Sequence, residues 1–266
     1  MTPEELITAV TDALRGEERF RALLLGGSYG RGTQDRFSDV DLIAVADPEH
    51  HANLARLWRE TLERLMPVVF WNERRTRGVL LNAIGQDWLR CDLVITDTGG
   101  LDGRARSALR VLIDRDSLVE RLPPELPDGA LDRSRITFLI NEFIRVLGLT
   151  PVVLGRGEVF TAAGTGAGLL RDQLVSLLKE ERQLADPGGA LHLSRALSPD
   201  QMRVLEAVPF PQPEPASIIA AHLAVARLFL PRAKALAARA GVPWPQAFEE
   251  ATRAHLEREL KVEVTW

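Results

Sequence analysis

Cysteine occurs once in these 266 residues, at Cys91, which excludes an intramolecular disulfide and any zinc site built on thiolates. Set in an apolar run, Cys91 reads as a small core residue. Long apolar runs are scarce as well. No uninterrupted stretch approaches the roughly 20 residues that span a bilayer, and the amino terminus lacks the basic-then-apolar pattern of a secretory signal. The expectation is a cytoplasmic protein with no membrane partner. A basic surplus is also missing: the formal net charge is −4, which argues against a large nonspecific nucleic-acid surface and leaves only local patches such as Arg74-Arg75-Thr76-Arg77. No fixed-period repeat is present. With 45% hydrophobic residues there is ample material for cores, and the length makes two domains the default.

The richest segment is Gly26-Gly27-Ser28-Tyr29-Gly30-Arg31-Gly32, followed by Ser38-Asp39-Val40-Asp41. Residues 20 to 25 read as a short buried strand and Val40 to Val45 as a second, so the glycine-rich segment is the crossing between them. In a strand, side chains alternate faces, which points Asp39 and Asp41 the same way with Cα atoms roughly 7 Å apart. Two like charges so placed repel unless a cation joins them, and hard oxygen donors select Mg²⁺ or Mn²⁺. The alternative is a turn with one N-cap-like aspartate and one solvated one.

In order, Gly27-Ser28, Gly32, Ser38-Asp39 and Asp41 match a Gly-Ser, three residues, Gly, then Ser-Asp-x-Asp strand pattern. The segment resembles the signature of the DNA polymerase β-like nucleotidyltransferase superfamily. That resemblance implies a third carboxylate on a later strand, and Asp92, in Leu89-Arg90-Cys91-Asp92-Leu93-Val94-Ile95, is the natural candidate. The competing role for Asp92 is an edge position or an ion pair with Arg90. The resemblance further implies two Mg²⁺ ions, replaceable by Mn²⁺, on Asp39, Asp41 and Asp92, with ATP or another NTP as co-substrate. Backbone amides of Gly27 and Ser28 and the Ser28 hydroxyl would hold phosphates, since glycine allows close approach and successive N–H groups form an anion nest. Arg31 and Ser38 complete the expected nucleotide site. Asp92 would accept the proton of the attacking hydroxyl.

The pattern of elements predicts an α/β (α+β) nucleotidyltransferase domain with a small mixed sheet over residues 1–128, then an all-α helical bundle over 129–266 that closes the nucleotide and acceptor cleft. Thr2-Pro3-Glu4-Glu5 is a capping box opening a helix that Gly16 ends. Glu49 to Met66 carries leucines at helical spacing, and its His50-His51 pair reads as a solvated helix start rather than a metal site. Val68 to Asn72, Gly78 to Ile84 and Trp88 to Thr96 suit a small sheet, with Val111 to Asp114 as a late edge strand. Helical spacing then runs over Ala130–Leu147, Val159–Gln183, Pro199–Val208, Ala216–Ala240 and Trp244–Leu260. Pro209 to Pro215 is too proline-dense for a helix and reads as a stiff connector. The acids Glu249, Glu250, Glu257 and Glu259 with Arg253 and Arg258 read as an exposed helix surface.

This layout resembles the aminoglycoside and lincosamide adenylyltransferases, in which the helical part supplies much of the acceptor site. For a cationic acceptor the helical half offers Glu142, inside an apolar run, and Glu158, before a helix. Their local alternatives are an intrahelical pair with Arg145 and a helix-start carboxylate. Arg171 and Lys179 could reach a triphosphate or face solvent. Three functions follow: AMP transfer from ATP to a small hydroxyl-bearing acceptor such as an antibiotic, modification of a protein or tRNA in a toxin–antitoxin setting, or a silent nucleotide-binding module. The protein is expected to be a monomer or homodimer, with nucleic acid disfavoured by charge.

Overall fold

A computed structural model describes residues 1–185 and 192–266. The chain divides into two compact units, Met1–Pro127 and Asp128–Trp266.

The first unit is a six-stranded mixed sheet. Its strands are β1 Ala22–Leu25, β2 Val40–Val45, β3 Val68–Arg75, β4 Val79–Gly85, β5 Arg90–Thr96 and β6 Arg110–Asp114, in spatial order β3-β4-β5-β2-β1-β6. β2 and β5 run parallel, and all other neighbours are antiparallel. Two helices, α1 Pro3–Leu14 and α3 His51–Leu65, build the larger core with one face of this sheet. The two-residue period decides which side chains join them: Leu23, Leu25, Leu42, Ala44, Leu81, Ala83, Cys91, Leu93 and Ile95 are in that core. Ala22, Leu24, Ile43 and Val45 face the other way and pack with Leu101, Leu109, Leu118 and Val119.

α1 begins at the anticipated capping box, with Thr2 Oγ1 accepting from Glu5 N–H and Glu5 Oε2 from Thr2 N–H. The glycine-rich crossing takes the form of a single helical turn, α2 Gly27–Arg31, closed by Gly32 at φ 69°. His51 is not a solvated helix start. It is buried, its Nε2 lying 3.1 Å from the Ala46 carbonyl oxygen.

The second unit contains α4 Arg133–Gly148, α5 Thr150–Gly155, α6 Val159–Thr161, α7 Ala167–Arg182, α8 Leu193–Ala196, α9 Pro199–Glu206, α10 Pro215–Ala240 and α11 Gln246–Leu260. Leucines and isoleucines of α4, α7 and α10 close one core around the stacked rings of Phe143 and Phe229, whose centroids are 3.7 Å apart. The run read as one helix from Val159 is interrupted by a π-helical turn, Ala162–Gly166, before α7. By length and composition alone Arg133–Gly155 and Pro215–Ala240 are apolar enough to cross a membrane, although charged residues interrupt both, and half of the most apolar window of each is buried in this unit. Arg171 does not face solvent: it donates to the Val208 and Pro209 carbonyls and lies over the Phe210 ring, pinning the proline-rich connector to α7.

The carboxylate ladder on α11 is likewise not all exposed. Glu249 is 7% exposed, and it accepts from Trp244 Nε1 at 2.6 Å, Trp266 Nε1 at 2.7 Å and Arg253 at 3.1 Å. Burial raises its pKa, and the two indole bonds with Arg253 more than reverse that, leaving it lowered. Glu249→Gln places an amide N–H₂ against donors that need an acceptor. It is expected to destabilise the helical unit by about 1–3 kcal/mol, read by urea denaturation followed through tryptophan fluorescence. An unchanged midpoint would remove Glu249 as the anchor of this network.

Candidate active site

β1 ends at Leu25 and the chain turns at once into α2. Gly27 has φ 53°, and a Cβ placed there would lie 1.8 Å from Asp41 Oδ2. The position therefore needs glycine twice, for its left-handed backbone and for the approach of that backbone to a carboxylate. The register is fixed by Gly26 N–H donating to the Asp41 carbonyl at 2.9 Å. Gly30 is equally constrained: a Cβ there would meet the carbonyl oxygens of Ala108 and Leu25 at 2.5 and 2.6 Å. Tyr29, between them, is buried and donates its hydroxyl to Glu4 Oε1 at 2.9 Å, so the turn is docked on α1. Burial and that carboxylate push the phenol up to about 12.

Asp41 on β2 and Asp92 on β5 are direct register partners across the parallel pair. Asp39 lies one residue before β2 rather than within it. One ligand oxygen from each of the three lies within 4.8 Å of the others, and among the described residues no other group of three such side chains is gathered so closely. All three are half-buried. Asp92 is not enclosed in the apolar strand that its neighbours suggested. Cys91, Leu93 and Ile95 point into the helix-covered core, and Asp92 stands on the opposite face.

The pairing around Asp92 differs from the Arg90 bridge considered from sequence. Arg90 lies 3.6 Å from Asp39 Oδ2 and donates to the Phe37 carbonyl at 2.7 Å. Asp92 Oδ2 instead accepts from Asn82 Nδ2 at 2.8 Å, and Asn82 Oδ1 accepts from Asn72 Nδ2 at 3.2 Å. Asn82 escaped the sequence reading. The signal was an amide in Leu80-Leu81-Asn82-Ala83-Ile84, at the β4 position that alternation places on the face of Asp92.

Burial, reinforced by Asp39 and Asp92, pushes the Asp41 carboxyl up to about 6 against the partial relief of Arg31 and Arg90. Burial also raises Asp92, opposed by the Asn82 bond and reinforced by Asp39. The neighbouring Cys91 thiol is pushed far up by complete burial and is no ligand. Three crowded carboxylate oxygen donors fit a hard divalent cation such as Mg²⁺ or Mn²⁺.

The structure thus gathers Gly27, Asp39, Asp41 and Asp92. Ser28 and Arg31 lie on the same helical turn, and the Ser28 carbonyl caps it by accepting from Gly32 and Thr33 N–H. Ser38 is engaged locally: its hydroxyl lies 3.2 Å from Asp35 Oδ1 and accepts from Asp35 N–H at 2.9 Å. Glu142 and Glu158 belong to the helical unit. Arg145 grips Glu142 through two bonds of 2.7 and 2.6 Å, while exposed Glu158 accepts from the Thr161 hydroxyl at 3.2 Å.

A folded-state carboxyl pKa above its unfolded value means that the folded form binds the proton more tightly. The stability linked to Asp41 is therefore fully present below about pH 4 and is lost as pH rises through about 6. In chelator-treated protein Asp41→Asn is expected to melt several degrees above wild type at pH 7.5, about 2–4 °C per kcal/mol. That gap should close below about pH 4, as measured by calorimetry across pH. A gap independent of pH, or a less stable variant, contradicts the crowding of these acids.

The family model for streptomycin adenylyltransferase matches residues 1–259. No curated protein matches the chain. Solved structures similar to it include an aminoglycoside 6-adenyltransferase from Bacillus subtilis, 15% identical over 95% of this chain and 96% of that one with a TM-score of 0.45. A nucleotidyltransferase-like protein from Exiguobacterium sibiricum is 13% identical over 96% of this chain and 88% of that one, at a TM-score of 0.43. The terminal uridylyl transferase 4 from Trypanosoma brucei is 17% identical over 85% of this chain and 63% of that one, at 0.26. With a match running through the sheet, the acidic cluster and nearly all of the helical unit, the chain belongs to the streptomycin adenylyltransferase family and is a nucleotidyltransferase.

Proposed function

We propose that this enzyme transfers AMP from ATP to a hydroxyl of an aminoglycoside-like antibiotic, with divalent metal held by Asp39, Asp41 and Asp92. The observation that carries the reading is the convergence of those carboxylates, within 4.8 Å of one another, on a backbone turn whose Gly27 touches Asp41. Family membership supports adenylyl transfer and a small acceptor. The intact acidic trio weighs against a silent nucleotide-binding module, since decay of such a site would remove a ligand.

When bound, Mg²⁺ supplies charge neutralisation for phosphate oxygens and acidifies a hydroxyl. The chain's own residues do the rest. Gly27 and Ser28 present main-chain N–H groups and a hydroxyl to the β and γ phosphates, and Arg31 adds a charge-assisted contact. Asp92, whose second carboxylate oxygen is not held by Asn82, accepts the proton of the acceptor hydroxyl. The freed oxygen attacks the α-phosphorus, the new P–O bond forms on the acceptor and the bond to pyrophosphate breaks. Positioning of this kind, rather than covalent participation by the protein, accounts for most of the acceleration in such transfers.

With radiolabelled ATP, Mg²⁺ and a panel of aminoglycosides, the protein is expected to release pyrophosphate and label at least one acceptor. Asp39→Ala and Asp41→Ala should abolish that release, and Asp92→Asn should lower turnover by about 10²-fold or more with ATP still bound. Near-wild-type release by either alanine variant contradicts the metal site. Unchanged turnover of Asp92→Asn with weaker ATP binding makes Asp92 a binding residue instead.

For acceptor contact Glu158 is the sharper test of the two acids, because Arg145 already neutralises Glu142. Glu158→Gln is expected to raise the acceptor KM by about fivefold or more, the loss of one charge-assisted bond, with the KM for ATP unchanged. Wild-type kinetics for Glu158→Gln on every amine-bearing acceptor would move acceptor recognition away from this acid.

A further inference from the structure

Four side chains stand in one row across neighbouring strands. Asn72 on β3 faces Asn82 on β4, Asn82 faces Asp92 on β5, and Asp92 faces Asp41 on β2. Two of the three links are hydrogen bonds with one direction: Asn72 donates to Asn82 at 3.2 Å and Asn82 donates to Asp92 at 2.8 Å. That direction is self-consistent. Reversing the Asn82 amide would set its oxygen against a carboxylate and its N–H₂ against the Asn72 donor, losing both bonds.

We infer that Asn82, held in turn by Asn72, is the positioning residue of Asp92: it ties down Oδ2 and so presents Oδ1 to the metal and to the acceptor proton. The inference rests on the catalytic reading of Asp92 above. The sequence context supports a specific role, since Val79, Leu80, Leu81, Ala83 and Ile84 surround this amide in β4, which ends at Gly85. An apolar side chain at that position would suit the strand as well, and would leave Asp92 free to rotate. A neutral donor also favours the ionised carboxylate without adding a cation that competes with metal, and it is the second influence on Asp92 after burial. Groups of this kind set ligand orientation, and their removal weakens metal affinity or activity by about 10–100-fold.

The test uses the full chain with Asn82→Leu, Asn82→Gln and Asn72→Ala. Asn82→Leu is expected to lower kcat about 10–100-fold and to weaken Mn²⁺ binding by a similar factor, the latter titrated without nucleotide by the paramagnetic resonance of free Mn²⁺. The KM for ATP should stay within about twofold, and Asn82→Gln, which retains the donor, should recover part of the loss. In an Asp92→Asn background Asn82→Leu should add less than about twofold, because both changes act through one carboxylate. Wild-type kcat and Mn²⁺ affinity in Asn82→Leu, or an undiminished loss in the Asp92→Asn background, overturns the inference. An active Asp92→Asn enzyme sinks the reading beneath it, whereas an inactive one beside a wild-type Asn82→Leu sinks only the positioning role. If circular dichroism shows Asn82→Leu misfolded, Asn72→Ala decides. It leaves the Asp92 donor in place and should lose about three- to tenfold in kcat and Mn²⁺ affinity, a fraction of the full effect, and wild-type values there overturn the proposal.

Discussion

Three carboxylates brought within 4.8 Å of one another are the constraint to which the rest of the sheet-containing unit answers. At an effective dielectric near 20 a pair of like charges about 4 Å apart repels by roughly 4 kcal/mol, so the arrangement is tolerable only with protons or a cation. Arg90 supplies partial compensation near Asp39, and Asp41 answers by holding its proton to about pH 6. The backbone enforces the proximity. β2 and β5 are parallel neighbours in register, joined through α3 and the β3–β4 hairpin, so Asp41 and Asp92 meet because their strands do.

The two faces of the sheet divide the labour. On one, Leu42, Ala44, Leu81, Leu93 and Ile95 meet α1 and α3 in a closed core that includes fully buried Trp58. On the other, the same strands carry Asp41, Asn82 and Asp92. Burial of the first face fixes the position of the second, because a slip of one residue in β2 or β5 would send the acids into the core and leucines to the surface. The hydrophobic free energy of the core thereby offsets the electrostatic strain of the site. α2 adds a further clamp: Tyr29 ties it to α1, and Gly27 leaves no room between its backbone and Asp41.

Much of this was legible in the residues. Val40–Val45 was readable as a strand from its composition, and the Asp39-x-Asp41 spacing pointed to the pair of acids that the structure gathers with Asp92. Asp92 was found only through family resemblance. What escaped were properties set by tertiary partners. A run of glycines looks like a loop, but Tyr29 had a place to bury and Gly32 could take the left-handed cap, so one helical turn forms. Glu249 looked like one acid in a charged ladder until Trp244, just before its helix, and Trp266, beyond the helix end, donated to it. Asn82 was visible as a polar residue among leucines, but its meaning depended on which strand lies next to β4, and local sequence does not carry strand order.

The chemistry of the row Asn72–Asn82–Asp92 shows why an amide suits that position better than a charge. A lysine or arginine there would neutralise Asp92, lower its basicity and oppose an incoming cation. A hydroxyl has a shorter reach and a freely rotating proton, so it would orient the carboxylate less firmly. An amide donates one fixed bond, keeps the local charge available for metal, and needs its own oxygen satisfied, which Asn72 does from the edge strand. The cost of a polar pair in a sheet is small where each amide answers the other. The amide favours the charged form of the aspartate while restricting its rotation, the combination that the role proposed for Asp92 toward a metal and a proton requires.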